Sequence, residues 1–580
     1  MKTRLMVLCG LIALVAGLFG PAVPRASAQT NYNIIIYGGG FSGIAAALNA
    51  YDGYRGLTGG TNPRILLINN QSALGGLGTI NGQNFMDWNL WQANGNSSIH
   101  EGSFRKFVNG TGTTAAPQFD RFYSTGELAN WFASQISARS ASITLLQPYD
   151  LRSVARDAAT GKITSVTVQK LKRENQAWLF DTAFAQETYT APVFIDASEN
   201  GRLTAMTGAT VNTGRQDRPS DRRQMVASLL FRAKGVDYTQ TIGKPGWSSL
   251  TDKNGTVGFA GGGTEINAAA TITNPADPLF KLGDFNRTNS RFQIKAMNVA
   301  EDRASTAAAP SLQTNRVYWF NVLLIVGVDG MCERKYGCAD TYTYSDGSTA
   351  WSTDYAYSQA RTLLLSTQFR DAMRVFPGFS QFQVEQIVVN NVTYASAGES
   401  LYIRETIHTP KNPAATLDGN NYGLTFGQMA GAGSTTTNGT DWLHYNYRLG
   451  LAFYNFDSNG YTKNNPSSGQ MDPDPKPQPD SPHPSYLPIG ALLTSQVPNL
   501  ILAGYSASVS NWAWTAVRVL PNQAVMGDAA GMLAAYAVNY TADPLSFGTN
   551  LTWITNVRNR IKAQGGRVDK CVPVTTTCTR

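Results

Sequence analysis

The residues of this chain best suited to chemistry are one glycine turn and a few scattered titratable side chains. The turn is Gly38-Gly39-Gly40-Phe41-Ser42-Gly43. Its spacing suits a dinucleotide pyrophosphate. Gly38 permits a tight turn, Gly40 lets the backbone approach the phosphates, and Gly43 lets a following helix pack close to the preceding strand. The N-terminus of that helix presents unpaired N–H groups and partial positive charge to an anion. The chain has 55 glycines, so the same letters also read as an ordinary turn, and context must decide. Proton-transfer groups are scarce, with four histidines in all: His100, His408, His444 and His483. Imidazole titrates near neutrality, which makes His408, just after Arg404, the first candidate base and His100 the second. Each also reads as a structural histidine. Trp512 and Trp514 form either an aromatic wall or core packing.

These groups need elements to hold them. An apolar strand at 34–37 enters the turn, and an alanine-rich helix leaves it. A second strand at 65–68 ends in Asn69-Asn70, where a dinucleotide fold normally carries an acid for the ribose hydroxyls. Asparagine still hydrogen-bonds a hydroxyl, but without charge. Gly75-Gly76-Leu77-Gly78-Thr79 then suits a loop passing close to a flat ring, or an ordinary turn. Strands at 143–146, 153–155 and 163–168 form a hairpin-rich crossover, and a buried strand at 193–196 stops at Asp196 before a polar turn to Gly201. From about 225 to 465 the pattern changes to strand-like runs among aromatic, Gly- and Asn-rich loops, with one helical stretch at 355–376. Six prolines between 473 and 484 make 465–488 an extended, exposed linker. Order resumes with a strand at 499–502 ending near Gly504, a small-residue helix at 516–537 and an amphipathic helix at 551–563.

The ends and the composition bound the class. At 580 residues the chain exceeds one ordinary domain, and its 42% apolar content supports a core. Residues 1–28 read as a secretion signal: Lys2 and Arg4, an apolar stretch at 6–19 too short for a confident span, then Ala26-Ser27-Ala28. The mature chain is expected to begin at Gln29, outside the cytoplasm, secreted or periplasmic, with an uncleaved anchor as the alternative. No later stretch reads as a stable membrane span. Loss of the signal lowers the net charge from +8 to +5, and no Lys/Arg run points to nucleic acid. The four remaining cysteines form two local pairs, Cys332/Cys338 and Cys571/Cys578, which export would turn into small disulfide loops. With so few histidines and no CxxC or HExxH spacing, no metal site is expected.

Taken in order, these pieces resemble the FAD-dependent oxidoreductases of the glutathione-reductase-like superfamily. Gly38, Gly40 and Gly43, with Phe41 and Ser42 between them, match its phosphate turn. Gly75, Gly76 and Thr79 match the loop beside the pyrophosphate and ribityl chain, and Asp196 with Gly201 the "D-A-T/S-x-x-G" strand end. Arg404-Glu405-Thr406 resembles "R-E-S-R", with His408 where a second Arg commonly stands. Gly504-Tyr505 stands for Gly-Arg, and Arg518, Pro521, Asn522, Gly527, Ala530 and Gly531 match a helix facing the isoalloxazine. Asn69, with Asn70 after it, replaces the family's Glu. The resemblance implies FAD as cofactor and an α/β fold, with a discontinuous Rossmann-type FAD-binding domain (29–225 and 489–565) and a second, mixed α+β substrate or cap domain (226–464). The linker at 465–488 and a disulfide-looped tail at 566–580 complete this division. The catalytic candidates are Arg404, His408 and His100, and the spacing around His100 is not a recognised signature of a covalent flavin link. Export away from cytosolic NAD(P)H, with no second GxGxxG in a strand–helix context, leads to the expectation of a small organic substrate oxidised with electrons passed to oxygen, a quinone or another carrier. The alternatives are a flavin reductase of the fumarate-reductase type and a non-catalytic binding protein on a relic flavin fold.

Overall fold

The computed structural model describes residues 30–85, 100–110, 122–217, 221–251, 255–344, 347–410, 446–454, 457, 459–464, 470–471 and 485–569. The signal segment and the Cys571/Cys578 pair lie outside these residues.

Five short parallel strands form the central sheet: β1 (Ile34–Tyr37), β2 (Ile65–Ile68), β3 (Ile143–Leu146), β4 (Val193–Asp196) and β5 (Leu500–Leu502). Their spatial order is 3-2-1-4-5, that of a doubly wound dinucleotide fold. β1 is buried on both faces, which is why it reads as an unbroken apolar run. Ile34 and Ile36 enter one core and Ile35 and Tyr37 the other. Each such isoleucine contributes roughly 1.5–3 kcal/mol of burial.

Helix α1 (Phe41–Thr58) follows the glycine turn and ends at Gly59 in the left-handed conformation. Two further helices, α2 (Asn511–Val517) and α3 (Leu520–Asn539), replace the single helix expected at 516–537. Ser510 caps α2 by accepting from the Ala513 N–H. Pro521, which cannot donate to a preceding turn, starts α3 afresh. α3 is buried from Leu520 to Ala537 and crosses α1 closely. A Cβ at Gly527 would lie 2.7 Å from the Ala45 Cβ, and one at Gly531 would lie 2.9 Å from the Ala46 Cα.

The crossover between β3 and β4 carries the antiparallel strands Tyr149–Arg156 and Ile163–Glu174, which cover the second face of the sheet. The region beyond residue 225 builds a seven-stranded antiparallel sheet around Phe292–Glu301 and Tyr318–Ile325. Its own core is completed by helices Phe280–Thr288, Thr353–Leu364 and Thr367–Met373. The expected helix at 355–376 is broken at Ser366, whose hydroxyl caps the second piece. This is an α/β dinucleotide fold with a second, mixed α+β domain.

One boundary differs from expectation. Ser485–Pro488 is not exposed linker but a strand paired with Arg448–Ala452. Tyr486 and Leu487 are buried there, because two large apolar residues outweigh the flanking prolines.

Candidate active site

The glycine turn opens into a crevice at the C-terminal ends of the parallel strands, enclosing about 760 Å³ including its mouth. Gly38, Gly40, Asn69, Asn70 and Gly76 line it. Gly38 has φ +114°, and a Cβ there would strike the Ala197 carbonyl. A Cβ at Gly43 would fall on the Gly38 carbonyl oxygen, so this glycine lets α1 start against the turn. The Gly75 N–H donates to the Gly39 carbonyl at 2.7 Å, tying the second glycine loop to the first.

Glu199 occupies the cradle. Its Oε1 accepts the Leu77 N–H at 2.9 Å and lies 3.0 Å from where a Cβ on Gly40 would stand, and it also abuts Gly76. Burial pushes this carboxyl up to about 7, against the pull of the Leu77 N–H. The glycine cradle therefore already accommodates an acidic side chain. Asn69 turns its amide inward, donating to the carbonyls of Gln71 and Ala73 and to Gln147 Oε1 at 2.9–3.1 Å, which leaves its carbonyl oxygen towards Gly39.

The far wall comes from the loop closed by the Cys332–Cys338 disulfide, the first of the two expected pairs. It brings Glu333 and Lys335 to the crevice. Lys335 pairs with Asp150 at 3.0 Å and with Glu333, and Arg202 pairs with Glu333 at 2.9 Å. Asp150 also accepts from the Tyr37 hydroxyl, at the end of β1, at 2.7 Å.

A second cavity, of about 620 Å³ including its open mouth, lies between the domains. Leu77 and Pro521 come from the dinucleotide side, Lys295, Asn298 and Asn321 from the antiparallel sheet, and Tyr402, Arg404, Asp457 and Arg518 complete it. Arg518 pairs with Asp457 at 2.7 Å and donates to the Tyr402 hydroxyl. Burial disfavours the Asp457 charge, but Arg518, Lys295 and Arg404 together hold its carboxyl below the usual range.

Several residues singled out in the sequence stand elsewhere. His408, the first candidate base, lines neither of these two cavities, is 1% exposed, and bonds Glu405 at 2.9 Å beside Trp514. His100 is likewise buried, bonds Asn522 Oδ1 at 2.6 Å, and is pushed down to about 4 by burial, so it is neutral at neutral pH. Trp514 is core, its indole N–H donating to the Arg404 carbonyl at 2.8 Å. The side chain of Trp512 lies outside the described residues. Phe41 packs on Phe107 and Phe132, and the Ser42 hydroxyl bonds the Ala503 carbonyl. Thr79 bonds the Leu74 carbonyl at 2.6 Å, and Gly75 packs against it. Asp196 ties down the turn after β4 through Ser198 and Thr204, each hydroxyl at 2.6 Å. Gly504 passes against Ser198, Asn522 bonds the Ala516 carbonyl, and Gly527 serves the α1–α3 crossing. Like Gly527, Ala530 is buried in α3 and lines neither cavity. These residues shape the site without lining it. Glu199, Lys295 and Asp457 line it and were missed. For Lys295 the trace was a lysine between the apolar Ile294 and Ala296-Met297 of its strand.

The fit to a flavin dinucleotide rests on this geometry. A crevice at the switch point of a 3-2-1-4-5 sheet, floored by closely packed glycines, beside a separate cavity against a second domain, has the form of a two-domain nucleotide-cofactor enzyme. The sequence profile of the FAD-dependent oxidoreductases matches residues 33–547, and the chain belongs to that family. It is an FAD-dependent oxidoreductase, and FAD is its cofactor. Among solved structures it is similar to the myxobacterial FAD-dependent halogenase CndH, at 9% identity over 51% of this chain and 53% of that one, with a TM-score of 0.25. The alignment thus spans about half of the halogenase. The flavin-dependent monooxygenase PieE aligns at 11% identity over 50% and 43% of the two chains, TM-score 0.25. THI4 of Thermovibrio ammonificans aligns at 16% identity over 37% and 74%, TM-score 0.21. No curated protein matches the chain. No described helix is long and apolar enough to cross a membrane, and the described residues hold no group of three or more potential metal ligands.

Proposed function

We propose that the chain is an exported member of the glutathione-reductase-like branch that oxidises a small organic substrate in the cavity between its domains. Electrons then pass to oxygen or another acceptor such as a quinone. The observation that carries this reading is the cavity's mixed wall. Leu77 and Pro521, which flank the cofactor crevice and open α3, face Lys295, Asn298 and Asn321 of the second domain across one cavity.

Gly38, Gly40, Gly76 and Asn69 would hold the dinucleotide, and FAD when bound supplies the two-electron chemistry. The chain's own part is positional. The antiparallel sheet forms one wall of the cavity, and Arg518 sets a fixed positive charge beside Pro521, held in place by Asp457 and Tyr402. Residues 1–28 support export, as does the Cys332–Cys338 disulfide.

The test is a visible spectrum of the purified mature protein followed by a substrate panel read by flavin bleaching. Bleaching with peroxide release on reoxidation supports an oxidase, and reoxidation only by a quinone or dye supports a dehydrogenase. Bleaching by no organic donor, together with transfer from an artificial donor to an unsaturated acid, would reverse the proposed direction. Amino-terminal sequencing of extracellular material beginning at Gln29 would support export.

A further inference from the structure

Two cations on the cavity wall have no carboxylate within ion-pair distance among the described residues. Arg404 is 1% exposed, and its guanidinium donates to the Val226 carbonyl and the Ser228 hydroxyl, both at 2.9 Å. It lies 4.3 Å over the Tyr402 ring, and its Nε has no hydrogen-bond partner. Lys295 finds only Asn459 Oδ1, at 3.4 Å. Arg518, by contrast, is already matched by Asp457.

A departure from regular strand geometry places Lys295 there. Lys295 and Asn298 are three residues apart, so an even strand would put them on opposite faces. The register with Tyr318–Ile325 shifts between Ile294 and Asn298, and through this bulge both residues reach the cavity. Ile294 and Met297 meanwhile remain in the core behind them. Burying cations that are only partly matched is unfavourable, and on this wall Lys295, Arg404 and Arg518 share the one lining carboxylate, Asp457. Burial, and then the charge of Arg404, push the Lys295 ammonium down to about 7 against the opposing pull of Asp457, so an arriving anion would favour its protonated form.

We propose that the cavity takes a substrate bearing a carboxylate, held by Arg404 and Lys295. The planar Arg404 fork suits a carboxylate, and the Lys295 ammonium adds the second charge. This inference rests on the cavity being the substrate site.

The probe is succinate, with succinamide as its neutral counterpart, added to the flavin-loaded full chain. Succinate is expected to perturb the visible flavin bands and raise the melting temperature, and succinamide to do neither. Lys295→Met is expected to weaken succinate roughly tenfold or more with flavin content unchanged, and Lys295→Arg to restore most of it. Arg404→Lys gives a second, independent loss. Equal effects of succinate and succinamide, or unchanged succinate affinity in both Lys295→Met and Arg404→Lys, would overturn the inference. If a neutral substrate bleaches the flavin and Asn321→Ala impairs it while Lys295→Met does not, the cavity stands as the site and the carboxylate falls. If no cavity substitution alters bleaching by any substrate, the cavity reading itself falls.

Discussion

At position 43 even one methyl group is too much, because a Cβ would sit on the Gly38 carbonyl. Gly43→Val should therefore abolish flavin retention, read as the visible-to-ultraviolet absorbance ratio of the purified protein. Gly40→Asp should do the same by adding a carboxylate beside Glu199. Glu199 carries a pH prediction. Its folded value of about 7 lies above the ordinary carboxyl range, so the folded protein favours the neutral form. Stability from this group is therefore present at low pH and lost as pH rises from the usual carboxyl range through 7. A charged Glu199 also repels a diphosphate in the same cradle. FAD affinity, followed by fluorescence quenching, should weaken above pH 7, by up to about tenfold per pH unit, and Glu199→Gln should flatten that dependence. The glycines were legible in the sequence because their roles are set by neighbours a few residues away. Glu199 was not, because its meaning comes from Gly40 and Gly76, met only after folding.

Helix α3 depends on small residues where it crosses α1. Gly531→Leu should cost at least about 1–3 kcal/mol by overpacking, measured by chemical denaturation, since backbone atoms of Ala46 and Ala50 border the position. The sequence marked this glycine for the cofactor, whereas its packing serves the neighbouring helix. The disulfide-closed loop at 332–338 is the second element with a measurable role. Replacing both cysteines by serine should lower stability by about 2 kcal/mol on the loop-entropy argument. It should also loosen the Glu333–Lys335–Asp150 network at the crevice wall, seen as faster FAD release. Helices and apolar strands were readable from local pattern. The break before Pro521 and the buried strand Ser485–Pro488 were misread because helix restarts and strand partners depend on contacts beyond the local window.

For the whole molecule, the sheet is assembled from segments spread across the chain, with β5 arriving some 300 residues after β4. A chain truncated after residue 484 would lack β5, α2 and α3, exposing β4 and the α1 face. It should neither retain flavin nor give a cooperative thermal transition, while the full chain does both. The parallel sheet, the glycine turn, the discontinuous cofactor fold and FAD itself were determined by the sequence, because short-range steric rules and ordered motifs carry them. Arg404, Arg518 and Pro521 were also marked there, and the structure lines the second cavity with all three. The tertiary structure alone decided that His408 and His100 are buried beside Glu405 and Asn522, since packing, not residue type, sets a histidine's surroundings. It alone brought Lys295 through a strand bulge to Arg404, because a cavity between domains is made by residues whose separation in sequence carries no signal of their meeting.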